Sequence, residues 1–340
     1  EAMPFDPFIP VANVKSEYKL FDITRIEEII ESRLKSINDL NKNENKEIIL
    51  KIKSENVVFY IKKISSGGFG IVLEVSNETY GKCALKLEFT KNRLTKKTIF
   101  NHKGYNKKFL NKFKNNSQIN NFSLKYNIIK LKKIDFNGMP YIFMEYMDNN
   151  LLNIYFSSPL IITNYGINIL IIILKSVYKL FIDGFIYTDL KLENVLIKMS
   201  DGKIFIKLGD IGSIYKETYK TSIISSVRNS ICYTIPKNYK NLDFLEKAYL
   251  NFFYAIIQNV VLLICVYKRI KKNEICDMSI EELFSFLNNK TKNMANNKNN
   301  IYEYLVNSIN SVIKKKYKLD FIFIHDFLKN LINELETEYV

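Results

Sequence analysis

The stretch Tyr187–Gly212, YTDLKLENVLIKMSDGKIFIKLGDIG, decides how this chain is read. It carries Asp189, Lys191 and Asn194 in one short polar run, then Asp210 beyond two apolar runs that are separated by Ser200, Asp201 and Gly202. The two runs have strand character and the residues between them are turn formers, so the pattern predicts a hairpin. A hairpin brings Asp210 back beside Asp189. Two carboxylates, an amide and an amine gathered in this way suit a nucleoside triphosphate and its metal.

Phosphoryl transfer asks for little covalent chemistry from a protein and depends on positioning and charge neutralisation. A carboxylate near the acceptor hydroxyl can orient it and take its proton. An amide and a second carboxylate can hold Mg2+, a hard ion that prefers oxygen ligands and keeps some of its water. The stretch resembles the catalytic loop, hairpin and metal-binding turn of the eukaryotic protein kinases. The resemblance implies that Asp189 is the catalytic base, Lys191 the lysine on the transferred phosphate, and Asn194 and Asp210 the Mg2+ ligands, with Mn2+ as an alternative ion. DxKxxN and DxG are short patterns in isolation, so the upstream half carries the decision.

Upstream, ISSGGFGIVLEV reads as strand, glycine-rich turn and strand. Gly67, Gly68 and Gly70 stand where the backbone bends tightly and its N–H groups can approach phosphate oxygens. A CALKL strand follows a turn at Gly81, an order that resembles the kinase nucleotide roof. The resemblance puts Val72 and Ala84 over the adenine and Lys86 on the phosphates. YIFMEYMDNN resembles the last strand of that lobe and the hinge, with Met144 as gatekeeper. Glu145, Tyr146 and Met147 then line the adenine edge and Leu196 closes the pocket from below. Asp148 reads equally as a ribose contact and as an exposed loop acid.

The chain also departs from the family pattern. Ser65 replaces the first loop glycine. YNKKFLNKFKNNSQINNF has the look of the helix whose glutamate pairs with the roof lysine, but it places Asn106 at that position. No acid lies between Glu88 and Asp135. Glu88 shares a strand face with Lys86 and Asp210 could pair with Lys86 directly; ordinary surface is the preferred reading of Glu88. Tyr187 and Thr188 stand where the family most often has His and Arg, and Thr188 cannot pair with a phosphate on the downstream loop. Ile211 replaces an aromatic plug, Lys237 in CYTIPKNY replaces a glutamate, and Asn251 is aligned with an anchoring aspartate.

The implied fold class is α+β, a bilobal protein kinase-like fold with a small, mostly antiparallel β lobe and a larger helical lobe. Residues 1–46 form an N-terminal arm and an amphipathic helix over Ile23–Leu40, with Thr24 and Glu27 at capping-box spacing. Residues 47–147 form the first lobe, beginning with strands at Glu47–Ile52 and Val57–Lys63, and Tyr126–Ile134 is read as one of its later strands. Residues 148–340 form the second lobe, with helices over 160–183, 244–268, 279–289, 301–315 and 319–336. A lysine- and asparagine-rich loop falls near Lys290–Asn300.

The 340 residues carry a net charge of +15, unevenly placed. Between Lys86 and Lys133 there are fourteen Lys or Arg against one acid, Glu88. Such a field favours acidic partners, whether an acidic protein substrate, nucleic acid or an anionic membrane, although a solvated lysine-rich surface explains it as well. The four cysteines, Cys83, Cys232, Cys265 and Cys276, show no metal spacing. A reducing intracellular compartment is the default, with a removed signal segment left open. The apolar runs at 160–174 and 254–266 are broken by Thr163, Asn164, Asn168, Gln258 and Asn259, and read as buried helices shorter than a membrane span.

Together these readings lead to an ATP- and Mg2+-dependent protein kinase acting on Ser or Thr of protein substrates. The serine/threonine assignment is what the resemblance implies, since Lys191, two residues after Asp189, is similar to the family's serine/threonine pattern rather than its tyrosine one. A pseudokinase scaffold is the alternative, and nucleic-acid binding rests on charge alone. The sequence is silent on oligomeric state.

Overall fold

A computed structural model describes residues 8–10, 46–52, 55–67, 70–77, 81–88, 90–91, 98–99, 116–129, 131–135, 141–216, 244–264, 278–293, 300–314 and 319–339. The expected helix Ile23–Leu40, Gly68, Asn106, the turn 136–140, Cys232, Lys237, Cys265 and Cys276 lie outside the described residues. The chain divides into two compact units. One comprises Glu1–Pro10, Asn149–Ile197 and Ile204–Val340, and the other Val11–Asp148 with Lys198–Lys203.

The second of these units is built on a six-stranded antiparallel sheet. Its strands are β2 (Lys46–Ile52), β3 (Glu55–Gly67), β4 (Gly70–Asn77), β5 (Gly81–Glu88), β8 (Leu131–Asp135) and β9 (Tyr141–Glu145), in the order β2-β3-β4-β5-β9-β8. Strand burial follows a period of two: Ile61, Leu73, Val75, Cys83 and Leu85 are buried, whereas Tyr60 and Lys62 are exposed. Two short strands, β6 (Thr90–Lys91) and β7 (Thr98–Ile99), pair with each other.

The helix α1 (Asn116–Lys125) packs on β8 and shortens the strand expected over Tyr126–Ile134. Asn127 takes a left-handed backbone at φ 53°, a conformation that Asn tolerates better than most residues. The Ile128 amide then reaches the Ser123 carbonyl at 2.9 Å, a Schellman closure that ends the helix. The chain therefore re-enters the sheet only at Leu131.

The other unit is mostly helical: α2 (Leu151–Ser157), α3 (Pro159–Ile182), α4 (Phe244–Ile264), α5 (Ile280–Asn293), α6 (Asn300–Ile313) and α7 (Phe321–Tyr339). Pro159 opens α3, where its missing N–H and fixed φ cost nothing. Aromatic rings join α3, α4 and α7. Phe181 stacks on Phe321 at 4.8 Å and on Phe252 at 5.8 Å, and Phe253 meets Phe327 at 4.8 Å.

Two sequence expectations change here. The apolar segments are not shorter than a membrane span, because each helix continues through its polar interruptions; α3 has 24 residues and α4 has 21. Both are long and apolar enough to cross a membrane by length and composition, yet 89% of the most apolar window of α4 is buried within the protein. The loop expected from Lys290 begins later, since α5 runs to Asn293 and Thr291 bonds back to the Leu287 carbonyl at 3.0 Å.

Short elements frame the polar run. β11 (Phe185–Tyr187) pairs antiparallel with β14 (Ile214–Lys216). β12 (Val195–Ser200) and β13 (Lys203–Leu208) are neighbours in a sheet of order β1-β13-β12-β10, where β1 is Phe8–Pro10 and β10 is Asn149–Asn150. Asp201 at φ 51° and Gly202 at φ 71° form the predicted hairpin turn.

Candidate active site

Asp189, Lys191 and Asn194 lie between β11 and β12, and one carboxylate gathers them. Lys191 Nζ is 2.8 Å from Asp189 Oδ2. Asn194 Nδ2 donates to the same Oδ2 at 3.0 Å and to the Asp189 backbone carbonyl at 2.8 Å. Asp189 Oδ1 is buried and accepts no hydrogen bond from the described residues. Burial raises the Asp189 pKa above the ordinary carboxylate value, the Lys191 charge works against that rise, and the Asp210 charge adds to it. Desolvation of the carboxylate thus outweighs its own ion pair.

Asp210 is brought back to this loop by the hairpin and by three contacts. The Gly209 amide donates to the Asn194 carbonyl at 2.7 Å. A Cβ at Gly209 would meet that oxygen at 3.2 Å and Leu196 Cδ1 at 3.1 Å, so the close approach favours glycine. The Tyr187 hydroxyl donates to the Gly209 carbonyl, and Ser213 Oγ donates to Asp210 Oδ2 at 2.8 Å. Tyr187 is fully buried, and its pKa is pushed well up by that burial and then by the charges of Asp210 and Asp189. Its hydroxyl therefore stays a donor. Asp210 itself is left-handed at φ 40°, and Ile211 is buried behind it.

Helix α4 supports the loop from beneath. Asn251 Nδ2 reaches the Thr188 carbonyl at 3.4 Å and Asn259 Nδ2 the Leu190 carbonyl at 3.2 Å. The structure thus ties down one loop carbonyl that composition could not have singled out, through Asn259. The signal was a polar pair, Gln258–Asn259, inside an otherwise apolar helix.

The remaining predicted residues belong to the sheet-based unit. Gly67 and Gly70 are register partners at the β3–β4 turn, and Val72 lies opposite Lys86 across β4 and β5. Ala84 pairs with Met144 and Lys86 with Ile142 across β5 and β9. Ala84, Met144 and Met147 are buried, whereas Val72, Lys86 and Glu145 are partly exposed. Asp148, read as either a ribose contact or an exposed loop acid, is partly exposed, and its Oδ2 accepts the Met199 amide at 2.9 Å. Lys82, not singled out from sequence, sits 5.0 Å over the Tyr146 ring and 3.2 Å from Glu74.

The family signature described as protein kinase domain matches residues 59–327, most of the chain. The chain belongs to the protein kinase family. No curated protein matches it. In this kinase the donor set near Asp210 is chemically suited to a hard divalent cation. Asn194 commits its amide nitrogen to Asp189, and its side-chain oxygen takes no hydrogen bond among the described residues. Asp210 supplies a carboxylate of fixed orientation. No cluster of three or more His, Cys, Asp or Glu occurs among the described residues.

Proposed function

We propose that this kinase domain is an active, ATP- and Mg2+-dependent protein kinase that transfers the γ-phosphate to Ser or Thr of protein substrates. The observation that carries the reading is the Asp189 carboxylate. Lys191 and Asn194 hold its Oδ2, while its buried Oδ1 is left with no partner among the described residues. An acceptor hydroxyl placed there is oriented by one carboxylate oxygen and gives up its proton to it. The raised pKa makes Asp189 a stronger base than an ordinary aspartate.

In this reading Asn194 and Asp210 hold the cation, which supplies charge neutralisation on the phosphates. Gly67, Gly68, Gly70, Val72, Ala84, Lys86, Met144, Glu145, Met147 and Leu196 bind the nucleotide, and the two lobes span residues 47–147 and 148–340. The basic composition favours acidic protein substrates.

The test is transfer of labelled γ-phosphate from ATP to a generic acidic protein, with a generic basic protein in parallel, by wild type and by Asp189→Asn. Loss of a positioned base lowers the rate by about 10²–10⁴-fold. Equal, background-level incorporation by both proteins sinks the proposal.

A nucleotide-binding scaffold without turnover is the second reading. It is favoured by α1, the helix packed on β8, whose sequence NSQINNFSLK holds no acid to pair with a nucleotide-binding lysine. A melting shift with Mg2+ and ATP, together with an absence of phosphate transfer to any substrate tried, is its signature.

A further inference from the structure

We infer that Ser213 is a positioning residue that aims the Asp210 carboxylate at the divalent cation, and that Thr188 holds Ser213 in place from the catalytic loop. The inference rests on the metal-binding role proposed above for Asp210.

Asp210 occupies a left-handed backbone region that is costly for a non-glycine residue, and such a conformation persists only where its surroundings over-determine it. Ser213 supplies two of the constraints. Its amide donates to the Asp210 carbonyl at 2.9 Å and its hydroxyl to Asp210 Oδ2 at 2.8 Å. The same aspartate is thus gripped at main chain and side chain by one residue.

Ser213 is gripped in turn. Its carbonyl accepts both the Thr188 amide and the Thr188 hydroxyl, each at 2.8 Å. Thr188 is adjacent to Asp189, and its own carbonyl takes the Asn251 side chain of α4 at 3.4 Å. A continuous chain of hydrogen bonds therefore runs from α4 through the residue beside the base to the carboxylate of the metal turn. Ser213 is buried, so water cannot readily replace its hydroxyl, and an alanine there leaves Asp210 Oδ2 without this donor.

The register between the catalytic loop and the metal turn is set by hydroxyl and backbone groups of residues 188, 210 and 213.

The experiment is Mn2+ titration by electron paramagnetic resonance on the full chain, with a non-hydrolysable ATP analogue present. The proteins are wild type, Ser213→Ala, Ser213→Thr, Thr188→Val and Asp210→Asn, with thermal melts alongside. Ser213→Ala is expected to weaken Mn2+ binding about ten-fold, the loss typical of a hydrogen bond to a charged group. Ser213→Thr restores binding, because its hydroxyl is retained. Thr188→Val weakens binding by a smaller factor, since the residue 188 amide still holds the Ser213 carbonyl, and it serves as the second variant if Ser213→Ala does not fold.

If Ser213→Ala and Thr188→Val bind Mn2+ as tightly as wild type while Asp210→Asn does not, the positioning role is overturned and the metal role of Asp210 stands. Failure of wild type itself to bind Mn2+ overturns the metal reading and this inference with it.

Discussion

Burial of the Asp189 carboxylate bears on stability as well as on the base role proposed for it. Its folded pKa is raised because burial costs the charged form more than Lys191 and Asn194 return. By linkage, a carboxylate with a raised folded pKa contributes most to stability below its unfolded pKa, and that contribution is lost as pH rises through the folded value. Asp189→Asn removes the buried charge while keeping the side-chain shape. It is therefore expected to be more resistant to urea than wild type at pH 7, with the gap closing as pH falls below the ordinary aspartate range. Paired unfolding curves at the two pH values check this, and a less stable Asp189→Asn at pH 7 contradicts it. The presence of Asp189, Lys191, Asn194 and Asp210 was legible from their order in the chain. The carboxylate oxygen that each partner engages was not, because it depends on side-chain angles fixed by a helix and a hairpin from elsewhere in the sequence.

At the scale of elements, helix existence was readable wherever apolar residues recur, as in α3, α4 and α7. Helix ends were read less well. α1 ends by a left-handed asparagine in a sequence, KYNII, that also reads as the start of a strand. The termination depends on the Ile128 amide finding the Ser123 carbonyl. α5 has a reciprocal cap, in which the Ser279 hydroxyl accepts the Glu282 amide and Glu282 accepts the Ser279 amide. This pulls the Glu282 pKa below its usual value. The packing of α3 on α4 and α7 centres on Phe181, fully buried between Phe252 and Phe321. Phe181→Ala should cost about 3–5 kcal/mol, the range for emptying a buried aromatic site, and chemical denaturation measures it. A loss below about 1 kcal/mol, within reach of a surface substitution, would mean that these three helices do not share one core.

For the molecule as a whole, the net charge of +15 dictates behaviour that no single contact does. Any association with a polyanion through this field should weaken steeply between about 50 and 200 mM salt, as counterion release requires. A titration with a random-sequence nucleic acid across that range reads the slope, and salt-insensitive binding would contradict a purely electrostatic origin. The sequence by itself determined the order of the elements, the family resemblance and the identities of the polar residues in Tyr187–Gly212. Those properties follow from local periodicity, turn chemistry and spacing along one chain. Tertiary structure alone decided that Ser213 and Thr188 connect the two aspartates, that Asp148 serves the Met199 amide, and that α3 and α4 run on through their polar interruptions to membrane-spanning length. Each of those outcomes depends on which distant backbone group or apolar surface a side chain meets, and spacing along a chain does not encode that.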